Sequence, residues 1–361
     1  MTSSDVMAEG RSAGEVLAWS RIAVEPALRA AVDTLPPAMR RIASYHFGWS
    51  TEHGQPDDAS GVKATRVKGT GVNAAGGKAI RPALVLLSAQ AVGGVPAGAV
   101  PAAAAVELVH NFSLLHDDVI DGDITRRHRP TAWSVFGLNA AILAGDALLT
   151  LALDVLATSG HPAATDGTRV LSAAVQDLVE GQSVDLAFEQ RTQVELAECR
   201  RMAEGKTGAL IRCACALGAL FGGGGPEQVQ CLRSFGAHLG LAFQHVDDLL
   251  GIWGDPAVTG KPVYSDLRSR KKSLPVVAAL TSGTPSGREL AALYHGDQPL
   301  TGTDLARAAD LIDIAGGRAW SQTQVDDLLA QAMRDVHAAG PTTQAIGELG
   351  ALARLATHRD H

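Results

Sequence analysis

The sequence is poor in aromatic residues, which make up 4% of the chain and include only 3 tyrosines. Alanine and leucine are abundant instead, and this balance favours helices over a β-rich sandwich or barrel. Hydrophobic residues account for 46% of the 361 positions, enough to bury a substantial core. We therefore expect a globular, all-α protein.

Cysteine is scarce as well. The four cysteines, Cys199, Cys213, Cys215 and Cys231, are too few and too clustered for a disulfide scaffold, and their spacing is not that of a zinc knuckle. We expect buried thiols in a reducing compartment. The opening segment "MTSSDVMAEGRSAGEV" carries acidic residues and lacks the apolar core of a secretory signal, so we expect a cytoplasmic protein.

An excess of positive charge is also missing. The net charge of −7 excludes a global basic field for nucleic acid, and the basic residues form short groups such as "TRRHR" and "RSRKK". Any bound anion should therefore be small. The most apolar stretch, "AILAGDALLTLALDVLA", is interrupted by Asp146 and Asp154, which makes a poor membrane span. We expect a buried helix there and no stable membrane insertion.

The pattern along the chain predicts one helical domain over residues 16–361, preceded by a flexible tail over residues 1–15. A segment at about residues 50–77 is rich in Gly, Asp and Lys, and we expect a long loop there. Helical patterns then recur along the chain. They include a helix that we expect to begin at Pro82 and one continuous helical stretch at residues 194–221.

Two acidic clusters stand on otherwise apolar helical patterns. In "HDDVIDGD", Asp117 and Asp121 are four residues apart, so a helix would place their carboxylates about 6 Å apart on one face. Two carboxylates held this close repel unless a cation lies between them, and Mg²⁺ commonly takes one or two carboxylates together with substrate phosphates. One such cluster alone would also fit a solvated helix end. The second pair, in "FQHVDDLLG", argues against a solvated helix end, because unpaired charge is rarely tolerated on core helices.

Basic residues accompany both clusters, in "GGKAIRP", in the arginine pair after the first cluster, in "EGKTG" and after the second cluster: Lys78, Arg81, Arg126, Arg127, Lys206, Lys261 and Lys271. Each group alone is typical of a solvated surface. Together with the acids, they indicate a site for two diphosphates, one held through metal and the other held by side chains directly.

The motifs "GGKAIRP", "HDDVID…RRHRPT", "GQSVD", "KTG", "FQHVDD" and "GDPAVTGKP…SDLRSRKKSLP", in this order, resemble those of the trans-isoprenyl diphosphate synthase (polyprenyl synthetase) family. The resemblance runs from about residue 76 to 275. It implies the all-α isoprenoid synthase fold, a bundle of about ten core helices around a deep central cavity, usually in a homodimer. It also implies Mg²⁺-dependent condensation of isopentenyl diphosphate with an allylic diphosphate.

Residue roles follow from the resemblance position by position. It places Mg²⁺ on Asp117, Asp121 and Asp247, supported by Asp118, Asp248 and Asp266. It places the allylic diphosphate on Arg126, Lys206 and Lys261, and isopentenyl diphosphate on Lys78, Arg81, His110 and Arg127. Thr207 and Gln244 match positions near the reacting carbons, and Gln182, Asp185 and Lys271 match motif positions whose individual roles are less defined.

The resemblance also bears on product length. In this family the residues four and five before the first aspartate help to floor the cavity, and here they are Ser113 and Phe112. One bulky ring beside one small hydroxyl resembles enzymes that stop at twenty carbons, so we expect geranylgeranyl diphosphate. The alternative is that Phe112 is an ordinary core aromatic residue and another helix sets the depth.

The clearest departure from the family pattern is Gly251, which stands where the second motif normally ends in a third aspartate. One interpretation is a working synthase in which Asp247 carries the metal and Asp266 helps. A second is a noncatalytic subunit that modulates a partner synthase. A third is a class I terpene cyclase, although a cyclase needs no "GGKAIRP" segment, His110 or Arg127 for isopentenyl diphosphate. His128, where glycine often follows the arginine pair, is a smaller departure, as is the long segment before "GGK".

Overall fold

The computed structural model describes residues 10–57, 79–127, 129–256, 262–296, 298–340 and 342–357. Within these ranges nearly all regular structure is helical, and the strands form one short antiparallel hairpin. The all-α prediction is therefore confirmed. The predicted loop falls largely on residues 58–77, most of the tail falls on residues 1–9, and Lys78, His128 and Lys261 also lie outside the described ranges.

The helices, numbered in chain order, are α1 (Ala13–Asp33), α2 (Pro37–His46), α3 (Ile80–Ala91), α4 (Val100–Ile120), α5 (Ala132–Phe136), α6 (Leu138–Ala157), α7 (Ala164–Glu189), α8 (Leu196–Ala203), α9 (Ala209–Phe221), α10 (Pro226–Trp253), α11 (Ser265–Arg268), α12 (Leu274–Leu280), α13 (Pro285–Tyr294), α14 (Gly302–Ile314), α15 (Gly317–Ala338) and α16 (Thr343–Thr357). A 3₁₀ turn (Pro96–Ala99) precedes α4, and a π-helical turn (Glu204–Gly208) joins α8 to α9. Strands β1 (Thr125–Arg126) and β2 (Arg129–Pro130) form the hairpin.

The chain divides into two compact units. Unit 1 consists of Met1–Ser172, Cys213–Leu232 and Val336–Leu352, and unit 2 consists of Ala173–Arg212, Arg233–Asp335 and Ala353–His361. The first acidic cluster belongs to unit 1 and the second to unit 2. The prediction of a single domain stays a prediction.

The centre of unit 1 is α4, which packs against α6, α3 and α1. Its alanine-rich first half, Ala102 to Ala105, is fully buried, and small side chains let the neighbouring helices approach closely. Gly145 of α6 lies against His116 of α4, where a Cβ would overlap the imidazole ring. The close α4–α6 contact thus fixes the end of α4 that carries the first acidic cluster.

Unit 2 has two apolar clusters. One gathers buried side chains of α11, α12, α13 and α14, including Leu267, Val276, Leu290 and Ile312. The other gathers Phe188, Cys199, Leu241, Leu274 and Val277, which come from four helices. The two clusters meet along α12, so this helix has apolar support on both sides while its N-terminus faces the second acidic cluster.

Several predicted boundaries need correction. Helix α1 begins at Ala13, inside the predicted tail, because Ser12 and Glu15 form a capping box. Helix α3 begins at Ile80 and not at Pro82, since proline is tolerated within a first helical turn. The helical stretch predicted at 194–221 is interrupted by the π-helical turn.

The prediction of a buried α6 is only partly correct. By length and composition, Pro96–Ile120 and Leu138–Ala157 are both apolar enough to cross a membrane. Of the most apolar part of each segment, 67% is buried in the first and only 39% in the second. Leu138 and Leu143 of α6 are 49% and 56% exposed. Helix α6 packs its buried side against α4, and both leucines stay exposed among the residues that the structure describes.

Candidate active site

The first acidic cluster lies at the C-terminal end of α4. The Asp121 N–H donates to the carbonyl oxygen of Asp117 at 2.8 Å, so the helical turn continues through Asp121 and the two side chains are one turn apart, as predicted. Carboxylates are electrostatically unfavourable at a helix C-terminus, where the carbonyl dipoles are already negative. The position therefore suits a bound cation.

Asp118 lies between these two acids in the sequence and is buried. It pairs with Arg126, which the resemblance assigns to the allylic diphosphate. Its exposed fraction is 1%, and its Oδ1 accepts from Arg126 Nε at 2.6 Å. Burial raises the pKa of Asp118, while the charge and hydrogen bond of Arg126 oppose that shift. Asp118 thus holds the β-hairpin, and with it the arginine pair, against the end of α4.

The hairpin supports a small basic pocket in unit 1. Its β1–β2 pairing joins Arg126 to Arg129, and Arg127 in the turn between them has a left-handed backbone (φ 51°). Arg129 donates to the carbonyl oxygens of Tyr45 and Ser50, each at 3.3 Å. The pocket is lined by Tyr45, His46, Asp118, Arg126, Arg127, Arg129, Pro130, Thr131 and Ala132.

Two imidazoles adjoin the basic pocket. His110 Nε2 lies 3.4 Å from Arg81 Nη1, and burial followed by the charges of Arg81 and Arg127 places the pKa of His110 well below its usual value. Burial and the charges of Arg127 and Arg126 lower the pKa of His46 to about 3. Both rings are therefore neutral at pH 7, which leaves the arginines as the cations of this pocket.

Sequence reasoning missed part of this arrangement. His46 hydrogen-bonds the side chain of Asn111, whose amide donates to the carbonyl oxygen and to Oε1 of Glu107 at 2.8 and 3.1 Å. Glu107 is buried, and burial raises the pKa of its carboxyl group despite the nearby charge of Arg81. No local pattern singles out His46, since α2 is brought to α4 by tertiary packing. Glu107 could have been noticed as a lone acid in an apolar helix.

The predicted chain-length residues both lie on α4. Phe112 is buried and makes an edge-to-face contact with His116, with ring centroids 4.8 Å apart. Ser113 Oγ donates to the carbonyl oxygen of His110 at 2.8 Å. The two side chains therefore lie one turn before the first acidic cluster, in fixed conformations.

The second acidic cluster lies near the end of α10. Asp248 is 2% exposed, and it accepts from Gln244 Nε2 at 2.7 Å and from the Leu274 N–H at 2.9 Å. Burial raises the pKa of Asp248 to about 6, while the Lys271 ammonium opposes that shift. Asp248 thus anchors the N-terminus of α12 to α10, whereas its neighbour Asp247 is only partly buried.

The π-helical turn brings the "KTG" residues to this cluster. Thr207 Oγ1 donates to Gln244 Oε1, and Lys206 Nζ lies 2.6 Å from Asp185 Oδ2 of α7. Single π-helical turns inside α-helices occur frequently at functional sites. The structure therefore brings four predicted residues of unit 2 together as two pairs, Lys206 with Asp185 and Thr207 with Gln244.

Lys271 lies between two acids of the second cluster. Its Nζ is 3.7 Å from Asp248 Oδ1 and 3.6 Å from Asp266 Oδ2. Burial alone would lower the pKa of Lys271, but the carboxylates of Asp266 and Asp248 outweigh burial and raise it. Asp266 in turn lies directly against Gly251, the position of the missing carboxylate.

The side chains fit a divalent cation that also binds phosphate. Among the described residues, no three His, Cys, Asp or Glu side chains converge closely enough to hold a metal on their own. Mg²⁺ does not require such a cage, because it usually keeps several waters and takes one or two carboxylates with substrate phosphates. The donors of both clusters are carboxylate oxygens, which are the ligands that Mg²⁺ prefers. Gln182, which the resemblance also singles out, has a buried Oε1 with no hydrogen-bond partner.

Comparisons with known proteins agree with the motif pattern. The polyprenyl synthetase family model matches residues 69–312. A (2E,6E)-farnesyl diphosphate synthase of Mycobacterium tuberculosis is 46% identical over 95% of this chain and 92% of its own length. A geranylgeranyl diphosphate synthase of the same organism is 44% identical, over 93% and 91%. The crystal structure of a polyprenyl synthetase from Streptomyces coelicolor matches with a TM-score of 0.86 and 44% identity, over 95% of this chain and 98% of the other.

Proposed function

The chain belongs to the polyprenyl synthetase family and is a chain-elongating prenyltransferase, and we propose that it condenses isopentenyl diphosphate with allylic diphosphates, using Mg²⁺. It has the all-α isoprenoid synthase fold of its structural neighbours. The observation that carries the proposal is the presence, in each unit, of an acidic cluster together with basic side chains held by short hydrogen bonds or ion pairs.

Isopentenyl diphosphate is proposed to bind in unit 1 without metal. Arg81 and Arg127 provide the positive charge, and neutral His110 beside Arg81 adds a hydrogen-bonding group without a competing charge. Charge-assisted hydrogen bonds from guanidinium groups are among the strongest contacts available to a diphosphate. Lys78, at the start of this segment, joins the proposal through the resemblance only.

The allylic diphosphate is proposed to bind through Mg²⁺ and basic side chains. When bound, Mg²⁺ acts as a Lewis acid that makes diphosphate a better leaving group. The resemblance assigns the metal to Asp117, Asp121 and Asp247. Within unit 1, Asp118 would act by fixing Arg126 in place, and within unit 2, Asp248 would act by fixing α12 in place. Lys206 meets the same diphosphate; its pairing with Asp185 keeps the ammonium oriented before the substrate arrives. Lys261 is proposed for the same role.

Loss of diphosphate from the allylic substrate leaves a carbocation, which the double bond of isopentenyl diphosphate attacks before a proton is lost. Thr207 and Gln244 suit the stabilisation of that positive charge. Their hydrogen bond, and the bond from Gln244 to Asp248, hold the hydroxyl and amide dipoles in one orientation. Dipoles fixed before the reaction stabilise developing charge without reorganising.

For the product, we propose geranylgeranyl diphosphate. Its support is the pairing of a buried Phe112 with the small Ser113 one turn before the first cluster. The competing product is farnesyl diphosphate, which is favoured by the name of the relative that is 46% identical. Because relatives named for both products are similarly close, sequence identity alone does not decide between them.

The protein is also proposed to form a homodimer through α6. The exposed Leu138 and Leu143 are apolar side chains that a second copy would cover, whereas the exposed Asp146 and Asp154 on the same helix disfavour contact with lipid tails. A cytoplasmic location is proposed as well, and its support is that all four cysteines are free thiols.

The test of the proposed function is product analysis with Mg²⁺, isopentenyl diphosphate and, separately, dimethylallyl, geranyl and farnesyl diphosphate. We expect elongation from each primer and accumulation at twenty carbons. Accumulation at fifteen carbons, with farnesyl diphosphate left unextended, would show a farnesyl diphosphate synthase. No elongation from any primer would contradict the proposal and favour a noncatalytic subunit.

A further inference from the structure

The π-helical turn that carries Lys206 and Thr207 touches the parts of α7 and α10 that belong to unit 2. On α7, Gly181 is buried, and a Cβ atom built there would lie 2.8 Å from the carbonyl carbon of Gly205 and from Lys206 Cα, and closer still to the Lys206 nitrogen. Cβ atoms in proteins essentially never approach another heavy atom within 3.0 Å. These are backbone atoms, which cannot rotate away as the end of a side chain can. Helix α7 therefore reaches the turn because position 181 has no side chain.

A second glycine makes the corresponding contact from α10. Gly240 is buried, and its Cβ would lie 2.7 Å from Gly208 Cα and 3.3 Å from the Gly208 carbonyl oxygen. Gly205 is the second residue of the turn and Gly208 is its last, so the two contacts hold the turn near both of its ends. Glycine is an unfavourable residue in the middle of a helix, and such a position usually has a packing or functional reason.

One turn after each glycine, the same helix supplies a polar side chain to the π-helical turn. On α7, Asp185 follows the glycine by four residues, and its Oδ2 lies 2.6 Å from Lys206 Nζ. On α10, Gln244 follows its glycine by four residues, and its Oε1 accepts from Thr207 Oγ1. Residues four apart lie on one face of a helix. Each helix thus meets the turn from a single face, with a backbone contact followed by a side-chain contact.

The backbone contacts determine whether the side-chain contacts can form. A Cβ at position 181 would push the backbone of Lys206 away from α7 and draw its ammonium group away from Asp185. A Cβ at position 240 would push Gly208, and with it the neighbouring Thr207, away from α10. Displacements of about 1 Å in a catalytic group can lower a rate about 100-fold.

We propose that Gly181 and Gly240 are positioning residues, which let α7 and α10 close on the π-helical turn and so fix Lys206 for the allylic diphosphate and Thr207 for the carbocation. Each glycine acts through the side chain that it positions. This inference rests on the proposed function, since the roles of Lys206 and Thr207 are those of a prenyltransferase.

The first experiment is a double-mutant cycle that needs no turnover. Isothermal titration calorimetry measures the affinity of the full-length protein for inorganic pyrophosphate in the presence of Mg²⁺. The proteins are the wild type, Gly181→Ala, Lys206→Met and the double variant, because such a cycle isolates the coupling between two positions. Gly181→Ala should weaken pyrophosphate binding about tenfold in the wild-type background, the usual effect of losing a hydrogen bond to a charged group. It should weaken binding less than twofold when Lys206 is already Met.

The second experiment is a cycle in turnover for Gly240 and Thr207. Gly240→Ala should lower kcat with farnesyl and isopentenyl diphosphates about tenfold or more, and less than twofold in the Thr207→Val background. The KM for isopentenyl diphosphate should change less than twofold, since its proposed site lies in unit 1.

The matched control is Gly287→Ala, on α13 of unit 2. Its Cβ would lie 2.5 Å from the Ala279 carbonyl oxygen, so this variant also forces a side chain against backbone. Gly287→Ala should lower the free energy of unfolding in urea as Gly181→Ala does, and it should leave the pyrophosphate affinity and kcat unchanged.

The inference would be overturned if folded Gly181→Ala bound pyrophosphate like the wild type, if its effect were equal in both backgrounds, or if Gly287→Ala lost as much affinity. Should Gly181→Ala not fold, Gly205→Ala replaces it, since its nearest contact is looser, 2.8 Å from the Asp177 carbonyl oxygen. A wild-type protein that shows the predicted coupling in pyrophosphate binding but elongates no primer would refute the proposed function alone.

Discussion

Arg126 and Asp118 form a short ion pair, with 2.6 Å between Nε and Oδ1, and Asp118 is 1% exposed. The pair joins an arginine of the hairpin to the end of the helix that carries the first acidic cluster. Its two flanking acids, Asp117 and Asp121, are at least partly exposed. The three aspartates of the motif therefore differ in task, and the difference can be measured.

The first prediction separates these tasks by comparing Asp118→Asn with Asp117→Asn. Removing the Asp118 charge leaves Arg126 without its partner, which should lower the free energy of unfolding by about 3 kcal/mol. Asp117→Asn should abolish most turnover and leave stability nearly unchanged. Urea denaturation and initial rates measure the two effects. Equal stability of both variants would contradict the structural role of Asp118.

A second prediction concerns Arg81, which lies 3.4 Å from His110. Arg81→Gln should raise the KM for isopentenyl diphosphate about tenfold or more, since hydrogen bonds to charged groups contribute about 1.5–3 kcal/mol. The KM for the allylic diphosphate should change less than twofold. Arg29→Gln, which removes an exposed arginine paired with Glu25, is the control and should alter neither constant. An effect of Arg81→Gln on the allylic KM alone would reverse the assignment of the two diphosphates.

The third prediction is a pH dependence of stability that arises from His46. The folded protein holds the pKa of His46 at about 3, below its unfolded value of about 6.5, so the unfolded chain binds the extra proton between these limits. The contribution of His46 to stability is therefore fully present above pH 6.5 and is lost as the pH falls toward 3. His46→Gln should flatten the fall of the unfolding free energy between pH 6.5 and 5.

The control for His46 is His53→Gln, because the His53 side chain is 75% exposed. This variant should retain the pH dependence of the wild-type protein. The account of His46 would be wrong if the two variants showed the same slope of unfolding free energy against pH.

A fourth prediction addresses product length. Ser113→Phe should shorten the product to fifteen carbons by adding a second ring beside the buried Phe112, and Phe112→Ala should lengthen it by opening space. Chromatography of the dephosphorylated products measures both shifts. If neither substitution changes the product, another helix sets the chain length.

The fifth prediction tests the proposed dimer. Leu143→Lys places a charge on the exposed face of α6 and should shift the protein from dimer to monomer in sedimentation velocity. Ile22→Lys is the matched control, since Ile22 is an equally apolar residue, 77% exposed, on α1. Dissociation by both variants, or by neither, would argue against α6 as the interface.

The sequence predicted the structure best where helical periodicity alone determines which side chains lie close together. The one-turn spacing of Asp117 and Asp121 follows from helical geometry, and the observed Asp121 to Asp117 hydrogen bond confirms it. The suggestion that Asp266 lies near Gly251 is also confirmed, although sequence could not show that Asp266 occupies the space of the missing side chain. That detail depends on how α11 packs against α10.

Features made by tertiary contacts were not predictable in this way. The position of His46 depends on the packing of α2, and the exposure of Leu143 depends on which face of α6 covers α4. The π-helical turn at Lys206 and Thr207 has no periodic signal, because it adds a single residue to an otherwise regular helical pattern. The placement of Lys78 and Lys261 stays a prediction, as both lie outside the described residues.

The most direct test of the central claim is whether product formation requires isopentenyl diphosphate. The protein is incubated with Mg²⁺ and farnesyl diphosphate, with and without ¹⁴C-labelled isopentenyl diphosphate, and with geranylgeranyl diphosphate alone. We predict a labelled diphosphate five carbons longer than the primer, formed only when isopentenyl diphosphate is present. A hydrocarbon or alcohol formed from geranylgeranyl diphosphate alone, with no labelled diphosphate in the other reaction, would contradict chain elongation and indicate a terpene cyclase.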